Sequence, residues 1–531
     1  MSKVDASHIE NRDSKANISH IEVEGVSDSK ITQEQDVGFL ETNSLKDQEE
    51  ELEYYDLPES LQGLTQDELR ELDRKTTRKI DLRLMPMLIY IYILNYLDRN
   101  NIASARLGGL EEDLGLVGSQ YQTAISILFV GYITFQIPSN MLLNKLGRPS
   151  LYITTIMTVW GIISTCTGAV QSYHGLLAVR IILGIVESGF FSGALAILSN
   201  WYDKKSLSFR NSILYSGSLM SSAWSGLIAA GIIDNMDGKG GLRSWRYLFF
   251  IEGAITVVSV PFAYFILPDN PSNTKFLNQQ EKDIIQWKLK RDIGTSDSDQ
   301  EAQESTVTGF LLAVKDLKVW LVTLILTFLV AACGVTNFFP SVVQTLNFSK
   351  TVTLCLTAPP YCIAVVATYI WSRHADKTGE RFLHVSIPLV GALISFIISA
   401  STLNTGARYF AMCLMIPSLY CSFTIILSWM SNCCPRPPAK RAVALALMNC
   451  ISNSTSIWNA YLYPASAAPR YLTAFICNCV FILCAIIFAV VLRVRLMTLN
   501  KRIERGTINW TKELGQGNDA SKVAADFRFL Y

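Results

Sequence analysis

Four charged residues interrupt stretches of sequence that are otherwise apolar. NYLDRNNI, residues 95–102, sets Asp98 beside Arg99, and RIILGIVESG, residues 180–189, carries Arg180 and Glu187. A charge inside an apolar run long enough to cross a bilayer is unfavourable and marks a functional position. Arg180 and Glu187 are seven residues apart, close to two helical turns, so they share one helix face. Each segment thus offers one carboxylate and one guanidinium. A carboxylic acid in a low-dielectric span can load and release a proton. A guanidinium beside it can hold a substrate carboxylate through two hydrogen bonds. The ionised acid competes with the anion for the arginine, and the protonated acid frees it, which would couple proton movement to anion movement. The same residues admit a purely structural reading, as salt bridges that fix two helices, with Asp98-Arg99 at the membrane face. Arg180 taken alone is equally readable as structural. Glu252, in SWRYLFFIEG (244–253), lies near the outer end of its run and reads as a structural pairing.

The elements that must position these residues are apolar runs. Half of the 531 residues are hydrophobic and 17% are charged, against about 25% in an ordinary soluble chain. The apolar residues cluster in runs of roughly 20, the length that spans a bilayer core. Spans are expected at 84–104, 119–143, 151–169, 174–198, 211–233 and 246–267, and again at 319–341, 352–372, 384–402, 408–430, 441–463 and 472–492. A polar middle loop, 269–316, separates six from six, the arrangement of a transporter built from repeats. The expected fold class is therefore an all-α polytopic membrane protein with twelve transmembrane helices. They form two six-helix bundles, residues 81–268 and 317–493. Residues 1–80 read as a disordered acidic tail with a short amphipathic helix at 64–79, and residues from 494 read as a second polar tail.

Loop charges orient the chain. Connections after even-numbered spans carry Lys145 and Arg148, then Lys204, Lys205 and Arg210, then Lys275 and Lys282. Later ones carry Arg373, Lys377 and Arg381, then Arg436, Lys440 and Arg441. The opposite loops hold Glu111, Glu112, Asp113, Asp234 and Asp237. Both termini are expected in the cytoplasm. Asn347-Phe348-Ser349 is a glycosylation sequon on the outer side, close to a span.

The second half carries few ionisable residues in its spans. It offers Asn337, Gln344, Asn449, Ser452 and Asn453, with Tyr361, Tyr461 and Tyr463. These suit hydrogen bonding and stacking to a substrate, or ordinary polar helix packing. Asn449 and Asn453 lie at i, i+4 and face one way, so they rank first. The net charge of +1 argues against a nucleic-acid partner. The twelve cysteines begin at Cys166 and form no metal pattern; they read as buried free thiols. No metal site and no cofactor are expected. His8, His20, His174, His374 and His384 include no pair at metal spacing in a span, which disfavours a membrane-embedded enzyme. The partners expected are a small organic anion, protons and the lipid bilayer, with the protein acting as a monomer.

Residues 372–382, SRHADKTGERF, resemble the D-[RK]-x-G-x-[RK] loop of the major facilitator superfamily, with Asp376, Lys377, Gly379 and Arg381 in the motif positions. The corresponding first-half segment, NKLGRP (144–149), keeps Gly147 and Arg148 but has Asn144 in place of the usual aspartate. NYLDRNNIASA (95–105), GYITFQIPSNMLLNKLGRP (131–149), RIILGIVESG, NWYDKKSLSFR (200–210), SWRYLFFIEG, LPDNP (267–271) and NCISNSTSIWNAYLYPASAAPRY (449–471) follow in order. Together they make residues 80–495 similar to the anion:cation symporter branch, and to fungal allantoate, nicotinate and pantothenate permeases within it. The resemblance implies the major facilitator fold and proton-driven import of an organic anion at the plasma membrane. It implies proton coupling by Asp98 and Glu187 and substrate binding by Arg99 and Arg180, with Tyr96 matching a substrate-side tyrosine. The Asp376 loop would act as a cytoplasmic gating latch. Nicotinate is the first substrate expected, with pantothenate, biotin, allantoate, ureidosuccinate and dipeptides open. A nutrient sensor on a transporter scaffold is the main alternative, and the tails leave a vacuolar or endoplasmic-reticulum location open.

Overall fold

The computed structural model describes residues 57–202, 204–271, 274–294, 306–434, 438–507 and 528–531. Met1–Gly63 and Leu64–Tyr531 are two units. Of the first, the described part is a 3-10 turn, Glu59–Leu61, beside which Gln62 Nε2 donates to the Leu57 carbonyl at 3.2 Å. The second is helical, with no strand among the described residues.

Helix α1, Gln66–Leu107, opens on a capping box: Thr65 Oγ1 accepts from Glu68 N–H while Glu68 Oε2 accepts from Thr65 N–H at 2.8 Å. Two otherwise orphaned donors are satisfied at once, so the helix starts about five turns before the membrane-spanning stretch. The helix expected at 64–79 is therefore present, but it is not short: residues 66–80 continue directly into the first span, which corrects the expectation of disorder up to residue 80. Two ion pairs hold this extension against the middle-loop helix Gln279–Gly294, Lys79–Glu281 at 2.8 Å and Lys288–Asp73 at 3.0 Å. The acidic segment 1–56 and Arg436 lie outside the described residues.

The other spanning helices are α2 (Gln120–Leu146), α3 (Pro149–Thr167), α4 (Tyr173–Glu187 with Phe190–Trp201), α5 (Lys204–Met236) and α6 (Ser244–Ile266). The second half has α7 (Leu317–Cys333, a 3-10 turn Gly334–Phe338, then Phe339–Gln344), α8 (Lys350–Thr378) and α9 (Phe382–Ser401). It ends with α10 (Thr405–Cys433), α11 (Pro438–Asn459) and α12 (Leu472–Glu504). Helix α12 runs past the end expected at 492, to Glu504, its polar last turns with Lys501 and Arg502 continuing the apolar stretch as one helix. Among the described residues eleven of these helices are long and apolar enough to cross a bilayer. The exception, α11, carries Asn449, Ser452, Asn453, Ser454, Thr455 and Ser456 and is shielded by packing on α7 and α2.

The packing repeats. In the first half α1 lies on α5, α2 on α4 and α3 on α6; in the second, α7 lies on α11, α8 on α10 and α9 on α12. Each pair recurs with its index raised by six. The halves meet through α5 on α8 and α2 on α11, pairs that a two-fold relation between the halves would exchange. Close approach depends on glycine: a Cβ at Gly184 would sit 2.0 Å from the Leu128 carbonyl oxygen, and one at Gly131 would sit 2.5 Å from that of Ile181. Small residues let membrane helices touch backbone to backbone. Gly184→Val is expected to lower stability by about 3 kcal/mol through overpacking, read as a fall in the thermal midpoint of detergent-purified protein. Gly231→Ala, inside α5 where a Cβ meets nothing within 4 Å, should not lower the midpoint, since alanine is the better helix former. Equal midpoints for both variants would show that α2 and α4 are not in this contact.

Candidate substrate and proton site

Two interrupted helices contribute to one small cavity. Helix α4 breaks immediately after Glu187, and α7 breaks into the 3-10 turn that carries Asn337. Glu187 is 1% exposed and its Oε2 accepts from Arg99 Nε at 2.9 Å, a charge-assisted bond between α4 and α1. The Arg99 guanidinium lies over the rings of Tyr96 and Tyr132, 5.2 and 4.8 Å from their centroids. Arg180, 2% exposed, donates from Nε to the Ala124 carbonyl at 3.3 Å and from Nη2 to the Arg99 carbonyl at 3.5 Å. Its Nη1, and Oε1 of Glu187, are buried with no hydrogen-bond partner among the described residues. A small cavity of about 20 Å³ lies between Arg99, Arg180, Phe129, Thr336 and Asn337. That is room for about one water, so an organic solute enters only when the helices part.

Two guanidinium groups and one carboxylate leave this centre with a positive balance, suited to an anion. The face shared by Arg180 and Glu187 is as the helical spacing predicts, yet the ion pair of Glu187 is made with Arg99 across the bundle. Asp98 is placed differently from the expectation of one shared four-residue cluster. It is fully buried and turned toward α3 and α6, where Ser164 Oγ donates to Oδ1 and Thr256 Oγ1 donates to Oδ2 at 3.1 Å. On the same side Asn101 Nδ2 donates to Glu252 Oε2 at 2.6 Å, giving Glu252 an amide partner and not a cation.

In the second half Asn337 lines the cavity. Asn453 Nδ2 donates to Asn449 Oδ1 at 2.8 Å, so the i, i+4 pair exists and its members bond to each other. Tyr461 and Tyr463 serve the closure of the face opposite the ends of α1 and α12 at Gln66 and Glu504. There Thr123 and Tyr461 hydroxyls lie 3.0 Å apart, and Gln122 Nε2 donates to the Tyr463 carbonyl at 3.2 Å. The Tyr463 ring stacks on Phe338 at 4.9 Å. Arg106 reaches Ser341 at 3.5 Å on the same face. These bonds tie α1 and α2 to α7 and to the segment after α11.

On the face carrying the Gln66 and Glu504 ends, Asp376 pairs with Arg381 at 2.8 Å and Gly379 ends α8 with φ +68°, where a side chain would be strained. Lys377 is exposed in the last turn of α8. Gly147 ends α2 in the same left-handed way, and Arg148 is exposed beside it. In this half Asp269 Oδ1, from the segment after α6, accepts from Ser150 N–H at 2.9 Å at the start of α3.

Several contacts escape sequence reasoning. Asn459 Nδ2 donates to the Ala331 carbonyl at 2.7 Å, against Gly334 at the break in α7. His374 Nδ1 and His384 Nε2 lie 2.7 Å apart, with Glu380 at 2.9 Å from His384 Nδ1; a spacing of ten matches no ligand pattern, and the α8–α9 reversal brings them together. The cysteines are free, but Cys166, Cys355 and Cys362 are exposed, which corrects the expectation of buried thiols throughout.

Twelve helices in two six-helix repeats, closing on a buried charged centre, define a polytopic membrane protein with the fold of a transporter. The chain belongs to the Major Facilitator Superfamily, whose family model matches residues 88–458. It is 31% identical to the MFS-type transporter efuF of Hormonema carpetanum over 76% of this chain and 81% of that protein. It is 27% identical to the high-affinity nicotinic acid transporter of Saccharomyces cerevisiae over 87% of this chain and 85% of that one. Among solved structures, a bacterial homolog of the human lysosomal transporter Spinster, inward-facing and occupied, superposes with a TM-score of 0.60 at 15% identity, over 78% of this chain and 97% of its own. That likeness bears on the fold.

Proposed function

We propose that this transporter imports a small organic anion together with protons across the plasma membrane, with both termini in the cytoplasm. The observation that carries the reading is the buried Nη1 of Arg180, with no hydrogen-bond partner among the described residues, beside an Arg99 held by one carboxylate. An ionised Glu187 occupies Arg99. When a proton neutralises Glu187, the guanidinium fork is released to a substrate carboxylate, and Arg180 supplies a second cation and a free donor. Asp98, behind Arg99 against α3 and α6, is the second proton carrier. Rocking of the two halves opens the centre first to the outside and then to the cytoplasm. There the protons leave, Glu187 retakes Arg99 and the anion departs.

Nicotinate is the substrate proposed. The Tyr96 and Tyr132 rings flanking Arg99 favour a flat aromatic acid, since aromatic rings stack on one another, and a relative is named for nicotinic acid. The test is uptake of labelled nicotinate into yeast lacking its own carrier, at acidic and neutral pH, with and without a protonophore. Uptake is expected to be several-fold higher at acidic pH and to collapse with the protonophore. Uptake indifferent to both would remove proton coupling. Absence of uptake by protein present at the cell surface would remove nicotinate.

A further inference from the structure

Where α1 leaves the membrane, a groove of about 580 Å³ is lined by Lys79, Leu82, Arg83, Pro86, Ile266 and Phe276. Two kinds of surface meet in it. One is apolar and exposed: Leu82 is 69% exposed and Phe265, at the end of α6, 76% exposed, with Phe262 also exposed. The other is basic. Arg74, Lys75, Arg78, Lys79 and Arg83 fall within one ten-residue stretch of α1. Of its acidic neighbours, Asp81 pairs outside the cluster with Arg210 at 2.7 Å and Asp73 with Lys288 at 3.0 Å, while Glu71 pairs with Lys75 at 2.7 Å and Glu281 with Lys79 at 2.8 Å, so a headgroup phosphate on Lys79 would displace Glu281 or share Lys79 with it. Arg83 forms part of the groove wall, donating to the carbonyls of Phe265 and Ile266 at 3.1 Å each and lying 4.7 Å from the Phe276 ring centroid.

We infer that this groove binds an anionic phospholipid of the leaflet at the Gln66 end of α1, its phosphate on Lys79 and Arg83 and an acyl chain along Leu82, Pro86 and Ile266. A cluster of basic residues beside the first span attracts anionic headgroups. A free anion would use the cations and leave the apolar wall bare, and a zwitterionic lipid would gain little from the cations. The groove lies at the polar end of α1, on the outer surface of the molecule, and is separate from the central cavity. The proposal does not depend on the nature of the transported solute. Bound there, the lipid would join the α1 extension, α6 and the segment that follows it into one unit.

The test uses the full-length protein purified in detergent, with its thermal midpoint followed as phosphatidylserine, phosphatidylcholine or inorganic phosphate is added. Phosphatidylserine is expected to raise the midpoint saturably, and the other two are not. Lys79→Gln should weaken the apparent affinity for phosphatidylserine about fivefold, as loss of one near-surface cation does. Glu281→Gln breaks the same ion pair but leaves Lys79 free for the headgroup, so it should bind at least as well as the native protein. Leu82→Asn, at a position too exposed to disturb folding, should weaken phosphatidylserine binding through loss of the apolar wall. Equal loss in Lys79→Gln and Glu281→Gln would assign the effect to the ion pair and overturn the proposal. So would stabilisation by phosphatidylcholine or by phosphate alone equal to that by phosphatidylserine, or unchanged binding in both Lys79→Gln and Leu82→Asn.

Discussion

Glu187→Gln is expected to lower net, proton-driven uptake by roughly one to two orders of magnitude, the range of a coupling free energy between linked ligands, while exchange of internal for external substrate persists. The amide is nearly the size of the acid, and its oxygen can still accept from Arg99 Nε, which Glu187 Oε2 does at 2.9 Å. Helix α4 should therefore remain in place beside α1. What the amide lacks is the alternation between a charged form that holds Arg99 and a neutral form that releases it. With that alternation gone, substrate can still cross in either direction as the halves rock. The proton gradient no longer drives it. Counterflow into preloaded proteoliposomes and uptake under an imposed pH gradient separate the two activities. Full gradient-driven uptake in the variant would remove Glu187 as the coupling acid, and loss of both activities in well-folded protein would make its role structural.

Arg99→Lys has the next largest expected effect, on apparent affinity. Lysine keeps the charge, can still pair with Glu187 and can still lie over Tyr96 and Tyr132, so folding and coupling should survive. It loses the planar fork that holds a carboxylate through two parallel hydrogen bonds. A hydrogen bond to a charged group is worth about 1.5–3 kcal/mol, so the apparent KM is expected to rise roughly 10- to 150-fold, with the maximal rate less affected. A KM within a factor of about two of the native value, less than 0.5 kcal/mol, would place the anion elsewhere. Arg180 would then be the remaining guanidinium at the centre, already bonded to two backbone carbonyls and with one donor spare.

Much of this site is legible in sequence because the membrane makes charge rare. Asp98, Arg99, Arg180, Glu187 and Glu252 stand out against apolar runs, and all but Arg99 are almost fully buried. The asparagines of α11 stand out for the same reason, but their partners do not. Asn449 and Asn453 bond to each other, whereas Asn459, unremarkable in sequence, meets the break in α7. Tyr461 and Tyr463 read as candidate substrate contacts, and the fold uses them to close one face. Asp269, within LPDNP, meets the start of α3 more than a hundred residues earlier in the chain.

Hydropathy along the chain was enough for the eleven apolar spans and for the identity of the buried charges, whereas the polar α11 takes its place through its packing on α7 and α2. Hydropathy and burial cost are local quantities, summed along one helix at a time. The tertiary structure decided who pairs with whom. Asp98 and Arg99 are neighbours in the chain, but successive residues on a helix point about 100° apart, so one faces α3 and α6 while the other faces α4 and the cavity. That choice depends on which helices pack on either side of α1. Close backbone contacts such as those at Gly131 and Gly184, between α2 and α4, are made by residues outside α1, so no property of α1 alone could have revealed its neighbours.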